Sequence, residues 1–192
     1  METDDRKNSK TGVIKRVFLP LVLVLGLILV TLSLMKQYSV RQDIDKDSDV
    51  SVGASLPDFE VQEFGKGPIT YSKIKAKVVL VNFWATWCDA CVNEMPSIVQ
   101  LRDSYKQRGF DVIAVNVDEE PEAVLPSAIR SLKIDFPVYV DPEGKLGDIF
   151  DLHAVPFTVI LDKNRKVLFV ENGERNWNSS EVRSNLEQWL GI

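Results

Sequence analysis

The chain reads as an α/β fold with a mixed central β-sheet flanked by helices, preceded by one N-terminal transmembrane helix. Three observations predict it. Two continuous β-branched and aromatic runs, KVVLVNFWA (Lys77 to Ala85) and FDVIAVNVD (Phe110 to Asp118), have the pattern of strands buried on both faces. A helix-compatible stretch lies between them and supplies the crossover that parallel strands require. Near the C-terminus, FTVILD and KVLFVE are joined by the short KNR, a hairpin-like pair, so part of the sheet is antiparallel.

The membrane helix comes first in the chain. Val17 to Met35 is uncharged throughout. As a helix it spans roughly 28 Å, about the hydrocarbon thickness of a bilayer. A buried core helix rarely runs so long without a polar face. Pro20 sits near its start, where proline is best tolerated. Arg6, Lys7, Lys10, Lys15 and Arg16 precede it, while the basic residues after it are diluted by Asp43, Asp45, Asp47 and Asp49. That asymmetry keeps the N-terminus in the cytoplasm and sends the rest of the chain outside. TLSLMKQ is a poor cleavage site, and no cysteine follows for lipoprotein processing, so the segment reads as an uncleaved signal anchor. The predicted organisation is a basic cytoplasmic N-terminus (1–16), the anchor (17–35), a polar flexible linker (36–54) and a folded domain (55–192). The domain then faces the periplasm or, equivalently, the extracytoplasmic side of the cell membrane.

Within the domain, Asp58 to Phe64 alternates as a short strand does. The first long helix runs from about Asp89 to Gln107, with Val92, Met95, Ile98, Val99 and Leu101 as its apolar positions and a bend at Pro96. Pro121 to Lys133 is a second helix, with Pro121 in its first turn and a disturbance expected at Pro126. Phe136 to Asp141 is a strand, Asp141 to Gly144 a turn, and KLGDIFDL a short helix. Ser179 caps a terminal helix that ends near Leu190.

Net charge is −5 and the body of the chain carries no Lys/Arg cluster, which argues against nucleic-acid binding. The two cysteines, Cys88 and Cys91, cannot build a disulfide scaffold, and with the single histidine, His153, they fall short of a four-ligand zinc site. A bond closing so small a ring adds little stability, so its use is chemical. Cys88 follows a buried strand and opens a helix; Cys91 lies one turn on. Unpaired N–H groups and the macrodipole at a helix start stabilise a thiolate.

NFWATWCDAC, the EMP that follows, and HAVPFTVILD (His153 to Asp162) together resemble the thioredoxin superfamily, more closely its membrane-anchored TlpA/ResA/CcmG-like thiol–disulfide oxidoreductases, with a redoxin or AhpC-TSA-like domain. The resemblance runs from about residue 52 to the end. It implies a thioredoxin-like fold, Cys88 as the attacking and Cys91 as the resolving cysteine, and a cis Pro156 behind which Val155 presents its backbone to a substrate strand. Trp87 would cover the site and Trp84 pack beneath it. Where thioredoxin has a buried aspartate six residues before its first cysteine, this chain has Asn82, which takes no proton. The related branch carries a glutamate three residues after the second cysteine, here Glu94, placed to tune Cys91 and accept its proton; the plainer reading is a solvated helix glutamate.

The same resemblance implies no metal or organic cofactor. It implies protein disulfide substrates such as oxidised apocytochrome c during cytochrome c biogenesis, and a membrane thiol-transfer donor of the CcdA or DsbD type. Asp89 and Glu94 put negative charge near the thiols, which disfavours a thiolate and favours a reductase. The alternatives are a disulfide oxidase or isomerase with the same site, a Sco-like copper-handling protein using His153, and a non-enzymatic interaction module. The C-x-x-C spacing departs from the C-x-x-x-C usual in Sco proteins, and the intact Cys88, Cys91 and Pro156 speak against a mere interaction module.

Overall fold

A computed structural model of the protein describes residues 28–31 and 50–192. Residues 28–31 are helical, and Ile28, Leu29 and Val30 are exposed. The remainder of the predicted anchor, the basic N-terminus and most of the linker lie outside the described residues. Among the described residues no helix is long and apolar enough to cross a membrane.

The domain is built on one seven-stranded sheet. Its strands are β1 (Glu60–Glu63), β2 (Gly67–Thr70), β3 (Val78–Trp84), β4 (Phe110–Asn116), β5 (Val138–Val140), β6 (Phe157–Asp162) and β7 (Val167–Asn172), in the order β2-β1-β5-β4-β3-β6-β7. The β3–β4 and β4–β5 pairs are parallel and the other four antiparallel, the predicted mixture. The helices are α1 (Asp89–Tyr105), α2 (Pro121–Ser131), α3 (Lys145–Ile149) and α4 (Ser180–Leu190). All seven residues of β3 are buried, as its unbroken apolar run requires. Its side chains alternate between two cores. Val78, Leu80 and Trp84 join Cys91, Met95 and Ile98 of α1 and Leu186 of α4. Val79, Val81 and Phe83 join Phe59, Phe150 and Phe157 on the opposite face.

Several elements differ from expectation. The edge strand β2 was not foreseen, because its sequence GPIT has neither length nor alternation. Proline is tolerated there since an edge strand leaves one row of N–H groups unpaired. Helix α2 is continuous through Pro126, which is exposed. The carbonyl that loses its partner, that of Glu122, belongs to an exposed residue, so water can replace the missing bond. Helix α1, by contrast, runs on through exposed Pro96 as its continuing apolar pattern predicts. A short 3-10 turn then leads to Gly109, whose φ of 100° and contact with the Lys77 side chain admit no Cβ without adjustment. Ahead of Ser55, Gly53 N–H donates to the Val167 carbonyl and Val167 N–H to that of Ala54, each at 2.8 Å. The last residues before Ser55 are therefore tied to β7.

This topology fixes where chemistry can occur. Phe83 pairs with Phe157 across β3 and β6. The loop leaving β3 (85–88) and the segment entering β6 (153–156) thus emerge at the same end of the sheet, where α1 also begins.

Candidate active site

Cys88 is the N-cap of α1, in extended conformation, and its Sγ accepts a hydrogen bond from Cys91 N–H at 3.2 Å. A donor in that position also serves a thiolate at Cys88. The two cysteines are joined as a disulfide, with Cα atoms 5.3 Å apart. Their accessibility differs: Cys88 is 8% exposed and Cys91 0%. Trp87 stands out from the surface at 68% exposure, whereas Trp84 is fully buried and its Nε1–H has no partner among the described residues.

The loop carrying Trp87 is fastened from below. Asp118 accepts from Thr86 N–H at 2.9 Å and from Thr86 Oγ1–H at 2.8 Å, and its carboxylate also accepts from Asn116 Nδ2–H at 2.6 Å. Asn116 Oδ1 in turn accepts from Asp118 N–H. Replacing Asp118 by Ala leaves these part-buried donors unpaired. The variant is expected to lose about 1–3 kcal/mol of stability in denaturant titrations, and to exchange disulfides more slowly because the loop before Cys88 is no longer fixed. Unchanged values for both would show that the clamp is inert.

Glu94 is not a solvated helix residue: it is 2% exposed, one turn beyond Cys91. Its Oε1 accepts from Asn82 Nδ2–H at 2.8 Å. Its Oε2 accepts from Trp177 Nε1–H at 3.0 Å and from Arg175 N–H at 3.1 Å. Burial pushes the carboxyl above its ordinary range; the Trp177, Arg175 and Asn82 donors pull it back, and the nearby Glu174 pushes it up again. Asn82 Nδ2–H also donates to Thr158 Oγ1 at 2.9 Å, its direct partner across the β3–β6 ladder.

The β7–α4 loop forms the roof over Glu94. Trp177 N–H donates to Ser97 Oγ at 2.9 Å. The Arg175 guanidinium lies 5.2 Å from the Phe169 ring centroid and pairs with Glu171 and with Glu181.

The Val155–Pro156 peptide is cis. Pro156 is buried and its carbonyl accepts from Gly173 N–H at 2.9 Å. Val155 packs against the core cluster that contains both cysteines. Its own N–H and C=O make no hydrogen bond within the described chain. His153 is exposed, 3.4 Å from Asp151. No group of three or more His, Cys, Asp or Glu side chains is gathered in a metal-holding arrangement among the described residues.

The site thus brings Cys88, Cys91 and Glu94 onto one helix start and places Trp87, Val155 and Pro156 at the same end of the sheet. Sequence reasoning missed Thr86, Asp118, Thr158, Arg175 and Trp177. Each acts through a contact remote in sequence; Thr86 and Thr158 lie inside the stretches that drew attention, and Asp118, Arg175 and Trp177 lie outside the three motifs that carry the resemblance.

A sheet of this topology, with a disulfide-bonded C-x-x-C pair opening the helix after its central strand, defines a thiol–disulfide oxidoreductase of the thioredoxin fold. Residues 51–190 match the family model of Redoxin, and the chain belongs to that family. It is 30% identical over 176 residues to thiol-disulfide oxidoreductase ResA of Oceanobacillus iheyensis, covering 90% of this chain and 87% of that protein. With ResA of Bacillus subtilis it shares 32% over 124 residues, 65% of this chain and 69% of the relative. Among solved structures, a Chlorobium tepidum protein assigned as thiol:disulfide interchange protein DsbE superposes with a TM-score of 0.66 at 28% identity, covering 73% of this chain and 99% of that one.

Proposed function

We propose that this oxidoreductase is a membrane-anchored reductase of protein disulfides on the extracytoplasmic side, with Cys88 as nucleophile, Cys91 as resolving thiol and Glu94 as the acceptor of the Cys91 proton. The observation that carries the reading is the asymmetry of the site: Cys88 is the accessible sulfur at the helix tip, Cys91 is sealed, and a buried carboxyl lies one turn behind it.

In the reduced enzyme, the Cys88 thiolate attacks one sulfur of a substrate disulfide. An enzyme–substrate disulfide forms and the other substrate sulfur leaves as a thiolate, which takes up a proton. Cys91 gives its proton to Glu94 and attacks Cys88 Sγ, releasing the second substrate thiolate. Two electrons have passed to the substrate, and Cys88–Cys91 is left oxidised. Trp87 packs against the incoming segment, while the unpaired backbone of Val155 beside Pro156 receives it by strand-like hydrogen bonds. A membrane dithiol donor of the CcdA or DsbD type returns the electrons, and oxidised apocytochrome c is a substrate of fitting chemistry. The names of the ResA relatives support the reaction class. The uncharged run 17–35, with its basic N-terminal flank, supports the anchor and the orientation.

Direction follows from charge. Asp89 adjoins Cys88, and Asp118, Glu119 and Glu120 border the groove beside Trp87. Negative charge opposes the helix-tip stabilisation of the thiolate and lowers the reduction potential. A redox titration of the pair in defined thiol buffers is expected to place it nearer the thioredoxin value of about −270 mV than the DsbA value of about −120 mV. A potential at the DsbA end would make the enzyme an oxidase.

A further inference from the structure

All three groups that touch the Glu94 carboxylate are donors: the Asn82 amide, the Arg175 backbone N–H and the Trp177 indole. That arrangement satisfies a carboxylate. A neutral carboxyl carries an O–H that needs an acceptor, and none of the three offers one as they stand. The missing acceptor is present but turned away. Asn82 Oδ1 is the one buried side-chain oxygen without a partner among the described residues. The same carboxamide spends its Nδ2 on Glu94 at 2.8 Å and on the Thr158 hydroxyl at 2.9 Å.

Half a turn about χ2 exchanges the two ends of an amide with little change of shape. Oδ1 then lies between Glu94 Oε1 and Thr158 Oγ1. A neutral Glu94 donates to it, and the Thr158 hydroxyl, whose hydrogen rotates to suit, donates as well. The Nδ2 hydrogens move to where Oδ1 had no partner. That cost opposes the turned state until Glu94 holds a proton, so the orientation follows the carboxyl.

We propose that Asn82 is a two-position residue which donates to ionised Glu94 and, turned over, accepts from neutral Glu94, so that a fully enclosed carboxyl can hold and give up a proton without stranding it. Aspartate at this position would add a second buried charge, and an aliphatic residue would serve neither state. The other charges facing Glu94 do not offer the acceptor. Glu174 acts on it through charge, and the Arg175 guanidinium is engaged by Glu171 and Glu181. On its own helix the neighbour is Cys91, sealed within the disulfide. The inference deepens the reading in which Glu94 serves Cys91 as proton acceptor, and it can be tested apart from that reading.

The test is pH-dependent NMR on the full-length chain in detergent micelles, following the Asn82 side-chain amide together with the Glu94 carboxyl carbon. The amide signals are expected to shift with the carboxyl's own midpoint, and the Asn82 amide–Thr158 proximity signal to be strong above it and lost below. Glu94→Gln is expected to abolish both changes. An Asn82 amide that stays fixed in shift and proximity while Glu94 titrates overturns the proposal. Asn82→Leu supplies a second readout. Because a turning amide serves both protonation states, its loss is expected to move the Glu94 midpoint by less than about half a pH unit, whereas loss of a fixed donor to the charged form alone would raise it by about one pH unit, roughly tenfold in proton affinity. A rise of about one pH unit or more would mark Asn82 as a fixed donor to the charged form and overturns the proposal; should this variant not fold, the wild-type signals decide alone. If the amide follows Glu94 but Glu94→Gln leaves the pH profile of Cys91 exchange unchanged, the switch stands and the proton-acceptor role of Glu94 fails.

Discussion

Cys91→Ser is expected to halt the reaction at the enzyme–substrate disulfide, and Cys88→Ser to prevent it from starting. Serine at 88 removes the sulfur that the helix tip and the Cys91 N–H are placed to stabilise. Disulfide reduction should fall by about three orders of magnitude or more, since an alcohol does not ionise at neutral pH. With serine at 91, Cys88 still attacks, but nothing inside the protein can displace the substrate. Covalent adducts should accumulate and be visible as bands that vanish when a reductant is added before electrophoresis. The accessibility difference between the two sulfurs predicts that the converse variant traps nothing. Trapping by Cys88→Ser, or turnover in its absence, would remove the assigned roles.

The second large effect is that of Glu94→Gln. A glutamine cannot take the Cys91 proton, so resolution of the mixed disulfide should slow by about a hundredfold near neutral pH, while formation of that intermediate is little changed. Rapid-mixing kinetics of the two steps separate these outcomes. The same variant carries a stability signature. Burial raises the folded-state value of the Glu94 carboxyl above its unfolded one. The folded protein then binds this proton more readily than the unfolded chain does, so the contribution is fully present below the unfolded value and is lost as pH rises through the folded one. The stability of the parent protein relative to Glu94→Gln should therefore decline with rising pH from about pH 4 toward neutrality in denaturant titrations. A difference that is flat, or that grows with pH, would contradict the sign of the shift.

The site's chemistry was legible in the sequence because it is local. Cys88 and Cys91 lie three residues apart, and the strand before and helix after them are written in continuous patterns. The buried strands of the core were legible for the same reason. What surrounds the cysteines was not. Thr86 meets Asp118 across 32 positions, and Trp177 reaches Glu94 across 83. No periodicity links such residues, and a lone tryptophan near a terminal helix reads as core filling. Glu94 was ambiguous because spacing puts a side chain on a helix face without saying what covers that face. The β7–α4 loop does the covering, and it returns from the far end of the chain. The proline in α2 misled because the cost of its missing N–H depends on whether water can reach the abandoned carbonyl, a property of the folded surface.

Arg175 joins the outside of the molecule to its interior. Surface ion pairs such as those with Glu171 and Glu181 ordinarily count for little. Here they hold the side chain of the same residue whose main-chain nitrogen rests on the enclosed carboxyl. Positions 171 and 181 thereby become remote handles on the redox centre, and a charge reversal at either, innocuous by its address alone, would tug on the lining of the proton's enclosure.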